Sequence, residues 1–109
     1  MKEKLSRKLQ LSFIRVHVLY HASKAPFYGV WMLEELSSHG YDFGPSTIYP
    51  LLKEMTFAKI LSVENKVIDG KQRKYYSITN AGKELLTISI HQVKQLLLEI
   101  KENNDEKTI

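Results

Sequence analysis

Late in the chain, two short runs that alternate apolar with polar side chains flank a turn signal. Ile60-Leu61-Ser62-Val63-Glu64 is the first and Arg73-Lys74-Tyr75-Tyr76-Ser77-Ile78 the second. Alternation of this kind, with β-branched and aromatic residues, selects strands. Asn65–Gln72 lies between them, and its Asp69-Gly70 step suits the turn of an antiparallel hairpin. Tyr75 and Tyr76 then point to opposite faces, one of them into a core. Helical periodicity dominates the chain before and after this hairpin, so the chain is α+β and mostly α.

Three helices precede the hairpin. Basic residues 1–10 carry Leu5 and Leu9 at helical spacing and lead into the first, whose apolar set is Leu9, Phe13, Val16, Leu19 and Tyr20, widened by Ile14 and Val18. Lys24-Ala25-Pro26 ends it, because the residue before a proline is pushed out of helical geometry. The second runs from Tyr28 or Gly29 to Ser38, with Val30, Met32, Leu33 and Leu36 as its core face and Gly40 as its stop. Trp31 falls nearly opposite that face. The third is capped by Gly44 and begun by Pro45, and Ile48, Leu51, Leu52 and Met55 form its inner stripe. Ser46, Pro50, Lys53 and Phe57 lie on the other side, with Thr47 and Tyr49 on the flanks. Pro50 removes the bond to the Ser46 carbonyl, which predicts a bent but tolerated helix.

Two short helices joined by a tight turn, the second rich in hydroxyls, form a helix-turn-helix signal, and a hairpin directly behind it is a wing. Thr79 can cap a last helix from Asn80 to Glu102, roughly 35 Å at 1.5 Å per residue. Its apolar positions Leu86, Ile90, Val93, Leu96, Leu97 and Ile100 recur with a seven-residue pattern, and such a stripe needs a partner helix. The alternative is that the stripe packs wholly on its own domain. Asn103–Ile109 is polar and expected to fray. The expected organisation is a winged helix-turn-helix over residues 1–79 and a C-terminal dimerisation helix with its tail over 80–109, as one compact unit.

Net charge is +4, unevenly spread. Residues 1–26 hold six basic side chains against one acidic, and residues 60–79 hold four against two. Two basic regions around a hydroxyl-bearing helix suit a phosphate backbone. With no cysteine, disulfides, thiolate metal sites and a cysteine nucleophile are excluded. No apolar run reaches the ~18 residues of a membrane span, and the expected location is the cytoplasm. No nucleophile motif or glycine-rich phosphate loop points to an enzyme or to a cofactor.

Ser46, Thr47, Tyr49 and Lys53 are the groove and phosphate candidates, because hydroxyls bond base edges or phosphates and Lys53 is a point charge. Tyr49 could instead pack sideways against the wing. Arg73 and Lys74 begin a strand, so alternation leaves one of them free to face the backbone; Lys71 and Lys66 add general electrostatics. Trp31 either covers a neighbouring helix or lines a pocket for a small-molecule effector. His17 and His21 have the i, i+4 spacing of a helical metal pair, but the sequence shows no third ligand, and no metal site is expected. His39 and His91 read as isolated surface or interface residues.

Pro26-Phe27-Tyr28-Gly29, Ser46-Thr47-Ile48-Tyr49-Pro50-Leu51-Leu52-Lys53 and Arg73-Lys74-Tyr75-Tyr76-Ser77-Ile78-Thr79-Asn80-Ala81-Gly82 together resemble the PadR-like family of transcriptional regulators, in its shorter form with a single C-terminal helix. The resemblance implies a homodimeric repressor of a roughly palindromic double-stranded operator, with the third helix in the major groove, the wing along the backbone, and repression relieved by a small molecule or signal. Three features depart from it. Val30 stands where the family usually has tyrosine, Lys59 where a glycine normally ends the third helix, and Thr56-Phe57-Ala58 replaces a charged run. A protein-interaction module using the same faces, or an architectural or replication-terminating DNA-binding dimer, would share this fold.

Overall fold

The computed structural model describes the backbone of residues 1–106 and side chains through residue 103. Four helices and three strands follow in the order α1 (Lys2–Lys24), β1 (Phe27–Tyr28), α2 (Gly29–Ser38), α3 (Pro45–Phe57), β2 (Leu61–Ile68), β3 (Lys71–Ile78) and α4 (Asn80–Glu106). The sheet is antiparallel in the order β1-β3-β2. It is an α+β, mostly helical winged helix-turn-helix with a long C-terminal helix.

Each helix end has a local cause. Ala25, ahead of Pro26, is extended and stops α1. At the end of α2, Tyr41 N–H donates to the Leu36 carbonyl and Gly40 N–H to that of Ser37, a Schellman closure with Gly40 in the left-handed region at φ 89°. The end of α3 repeats the pattern one for one. Ile60 N–H donates to the Met55 carbonyl and Lys59 N–H to that of Thr56, and here Lys59 takes the left-handed position at φ 65°. The left-handed geometry that glycine adopts most cheaply is thus kept with a side chain in place, at a cost of about 1 kcal/mol. At the start of α4 the Thr79 hydroxyl accepts from Gly82 N–H at 3.0 Å, the expected cap.

The core gathers Ile14, Val18, Leu19 and Ala22 of α1, Met32 and Leu36 of α2, and Ile48, Leu51, Leu52 and Met55 of α3 under Phe27, Leu61 and Tyr76 of the sheet, with Leu86 of α4. The α3 stripe is the expected one. That of α1 is so only in part: Ile14, Val18 and Leu19 are buried as expected, with Ala22 beside them, but Leu9, Phe13 and Tyr20 are exposed. This helix carries two apolar rows, and helical periodicity alone does not say which of them meets the core. Phe13, Val16 and Tyr20 line a groove with Leu86, Ile90 and Val93 of α4 instead. Val30 also departs from its expected core position, because α2 begins only one residue before it and meets the core through Met32 and Leu36.

The strands run further than their alternation suggested. β2 pairs with β3 from Leu61↔Ile78 out to Ile68↔Lys71, leaving only Asp69-Gly70 as the loop. Both loop residues have positive φ, 53° and 75°, a type I′ turn whose twist matches the strands. The outer half of this wing buries nothing, so burial could not mark it as strand. Helix α4 likewise continues past Glu102 to Glu106, since the polar residues from Asn103 do not break it; the fraying expected of 107–109 lies outside the described residues.

Two substitutions test these joints. Lys59→Gly removes the left-handed strain and should raise stability by about 0.5–1 kcal/mol in urea titration. Gly82→Ala should lower it by about 1–3 kcal/mol, because the new Cβ would overlap the Ile60 carbonyl oxygen and crowd Ile78.

Candidate nucleic-acid interface

With its apolar stripe buried, α3 turns Ser46, Tyr49, Pro50 and Lys53 outward. Thr47, on the flank, is half-buried, and its hydroxyl accepts a bond from the Arg7 guanidinium at 3.3 Å. Arg7 also lies 5.0 Å above the Phe43 ring. The basic N-terminal end of α1 therefore reaches the N-terminus of α3. Sequence reading assigned charge to that region but not to Arg7, since nothing local says that residues 40 positions apart meet. Further along, Arg15 pairs with Glu54 at 2.8 Å and links the same two helices; as an exposed pair it contributes little stability.

Between α3, the start of α2 and β3 lies an open cleft of about 580 Å³. Tyr49, Pro50 and Lys53 line one wall, Arg73, Lys74 and Tyr76 the other, and Tyr28, Gly29 and Val30 the end. Four of the candidate residues are thus brought together around one opening. Lys71 stands apart, paired with Ile68 at the hairpin tip. Strand alternation puts Lys74 on the Tyr76 face and Arg73 on the Tyr75 face. Both remain exposed at the rim, and Arg73 lies 5.6 Å over the Tyr28 ring. Lys66 is engaged by Tyr75 at 4.4 Å and by Glu64 at 3.6 Å.

Tyr49 leans on α2 rather than standing free. A Cβ at Gly29 would come within 3.0 Å of its ring, so the missing side chain is what lets the ring lie there. It is nonetheless 38% exposed. Burial, and secondarily Tyr49, pushes the Tyr76 phenol above its ordinary pKa, so Tyr76 stays neutral. Beneath the wing, Phe27 stacks on Tyr76 at 5.4 Å and Tyr28 meets Tyr75 at 4.8 Å, following the β1–β3 register. Tyr76 is the core tyrosine of the pair.

Trp31 lines a second cavity, about 500 Å³, with His21, Phe27, Glu35 and Tyr75. Its ring meets His21 edge-on at 5.7 Å. Phe57 is 89% exposed. His39 is not isolated, contrary to expectation: the α1–α2 packing brings it to His17 and His21, with nitrogen atoms of all three within 4.8 Å of one another. His39 lies eighteen positions after His21, and only the fold joins them. Burial, then His39 and His21, lowers the His17 pKa against an opposing Glu35. Burial also lowers that of His21, where Glu35 opposes and His39 adds to it.

A helix-turn-helix whose outward helix faces a basic wing, followed by one long helix, is the architecture of a DNA-binding regulator. The model of the transcriptional regulator PadR-like family matches residues 18–88, and the chain belongs to that family. It is 36% identical over 94 residues to the transcriptional regulator Rv3488 of Mycobacterium tuberculosis, which covers 86% of this chain and 88% of that one. The crystal structure of the PadR-like transcriptional regulator BC4206 from Bacillus cereus matches 90% of this chain and 95% of its own at a TM-score of 0.71 and 28% identity. A PadR-like transcription factor from Bacteroides fragilis shares the fold at a TM-score of 0.78 and 22% identity, over 91% of this chain and 97% of that one. The protein is accordingly a transcriptional regulator and not an enzyme. Among the described residues, no helix is long and apolar enough to cross a membrane.

Gly29→Val should drive the Tyr49 ring off α2 and cost about 1–3 kcal/mol in urea titration. In a Tyr49→Ala background most of that cost should vanish; a cycle without such coupling would mean the two do not pack.

Proposed function

We propose that the protein is a homodimeric, sequence-specific repressor that acts in the cytoplasm on a roughly palindromic double-stranded operator. The observation that carries the reading is the convergence of Tyr49 and Lys53 from α3 with Arg73 and Lys74 from the wing around one open cleft. Ser46 and Thr47 stand at the leading end of α3, where side chains of a recognition helix meet base edges. Lys53, Arg73, Lys74 and, more weakly, Lys71 serve the phosphates. Arg7 joins them through Thr47. A dimer seated on two half-sites about one helical turn apart, or a multiple of it, excludes polymerase from a promoter it overlaps.

The apolar rows left open on α1 and α4 support the dimer. Leu86 is spent on its own core, 7% exposed, and Ile90 and Val93 face the α1 groove. Leu96, Leu97 and Ile100 project beyond it with Leu97 59% exposed, while Leu5, Leu9 and Phe13 extend the surface along α1. On this reading, residues 1–79 bind DNA and the helix from residue 80 joins the copies, although its first turns belong to the DNA-binding core. The Trp31 cavity, with its aromatic walls, suits a flat effector whose seat touches β1 and β3.

A mobility-shift assay on the DNA upstream of the protein's own gene, at two salt concentrations and followed by footprinting, tests the reading. Lys53→Ala should weaken binding and reduce the salt slope by about 1; unchanged affinity would remove Lys53 from the interface. Leu97→Asp alters a side chain that the single chain does not bury, so the fold should persist by circular dichroism while sedimentation shows monomers. A dimer that survives it assembles elsewhere. The rival reading is a protein partner docked on exposed Phe57 and Trp31, and a wild type that shifts none of the DNA tested at either salt concentration would turn the reading that way.

A further inference from the structure

We propose that His17, His21 and His39, completed by the Glu35 carboxylate, bind a divalent transition-metal ion of the zinc class and so tie α1 to the C-terminal end of α2. The four residues are two i, i+4 pairs on packed helices: His17 and His21 on one turn of α1, Glu35 on α2 and His39 at its C-cap. Each pair points its ligands to one side of its helix. The histidine nitrogens already lie within 4.8 Å of one another. The Glu35 Oε1 atom is 3.2 Å from His39 Nε2 and 3.6 Å from His21 Nε2. Ligands on a tetrahedral ion with bonds of about 2.0–2.1 Å stand roughly 3.3 Å apart, so the longest separation must close by roughly 1.5 Å. His39, the most exposed of the three histidines, has the freedom to supply it.

A second observation points the same way. His21 Nε2 is buried and has no hydrogen-bond partner, an unusual state for a polar atom, and it faces the space that the other ligands surround. A metal lone-pair bond would satisfy it. Three imidazoles and one carboxylate are a closed donor set for Zn²⁺, Co²⁺ or Ni²⁺ and a poor one for Ca²⁺ or Mg²⁺, which take oxygen cages. Trp31 against His21 and Tyr41 against His17 at 5.2 Å wall the space with aromatic rings that would limit water access. Bound there, the ion would fix the end of α2 at Gly40, where the chain turns toward α3.

The test is titration of tag-free, EDTA-stripped protein with Co²⁺. The expected result is one ion per chain with the intense visible absorption of a tetrahedral centre, displaced by Zn²⁺. His39→Ala and His17→Ala should each weaken it at least tenfold, and His91→Ala, on α4, should leave it unchanged. Circular dichroism of His39→Ala verifies that the fold persists, since this side chain is only half-covered. No tetrahedral spectrum in the wild type, or equal binding in the wild type and His39→Ala, overturns the proposal.

Discussion

One hydroxyl joins the two halves of this protein. Thr79 Oγ1 donates to the Lys59 carbonyl at 2.7 Å and accepts from Gly82 N–H at 3.0 Å, while its own backbone N–H donates to the Ile60 carbonyl at 3.2 Å. The end of α3, the start of β2, the end of β3 and the start of α4 therefore meet at a single residue. Gly82 makes the junction tight, because its missing side chain leaves room for the Ile60 carbonyl against the first turn of α4. A rotation of α4 thus cannot occur without disturbing the Schellman closure of α3. If copies meet through α4, their spacing is transmitted to α3 through a few hydrogen bonds rather than a flexible linker.

Against that junction, the left-handed Lys59 makes physical sense. The closure needs positive φ whatever the residue, since Ile60 must turn back to satisfy the Met55 carbonyl and Thr79 must find the Lys59 carbonyl. Strain of about 1 kcal/mol is tolerated when the neighbouring bonds over-determine the backbone. The same logic holds at the wing tip, where Asp69 takes φ 53° ahead of Gly70 because the type I′ turn demands it.

Much of the fold was legible wherever a local cause sufficed. Pro45, the α3 stripe, Asp69-Gly70, the Gly40 stop and the Thr79 cap each act over a few residues, and each stands as read. Failures fall where two local answers are equally good. The α1 helix has apolar rows on both sides of Ile14, and only the positions of α2, α3 and α4 decide that Phe13 and Tyr20 stay outside the core. The outer wing has no burial signal, because its pairing is backbone to backbone. At the site, Lys53, Arg73 and Lys74 could be nominated by charge, but the Gly29 seat of Tyr49, the bond from Arg7 to Thr47 and the approach of His39 to His17 and His21 are products of helix packing.

The wing is held by aromatic rings on both of its faces, and this decides how its charges are presented. Phe27 and Tyr76 lock β1 to β3 on the core side, Tyr28 and Tyr75 on the outer side. Arg73 and Lys66 then lie over Tyr28 and Tyr75. A cation resting on a ring face loses rotamer freedom before any phosphate arrives, so less is lost when it binds one. Lys74, on the other face, lies over no ring of this kind and stands as an exposed charge lining the cleft with Lys53. The wing thus offers two sorts of positive charge, one pre-positioned and one free. Three short strands achieve this because alternation splits neighbouring residues between the two faces.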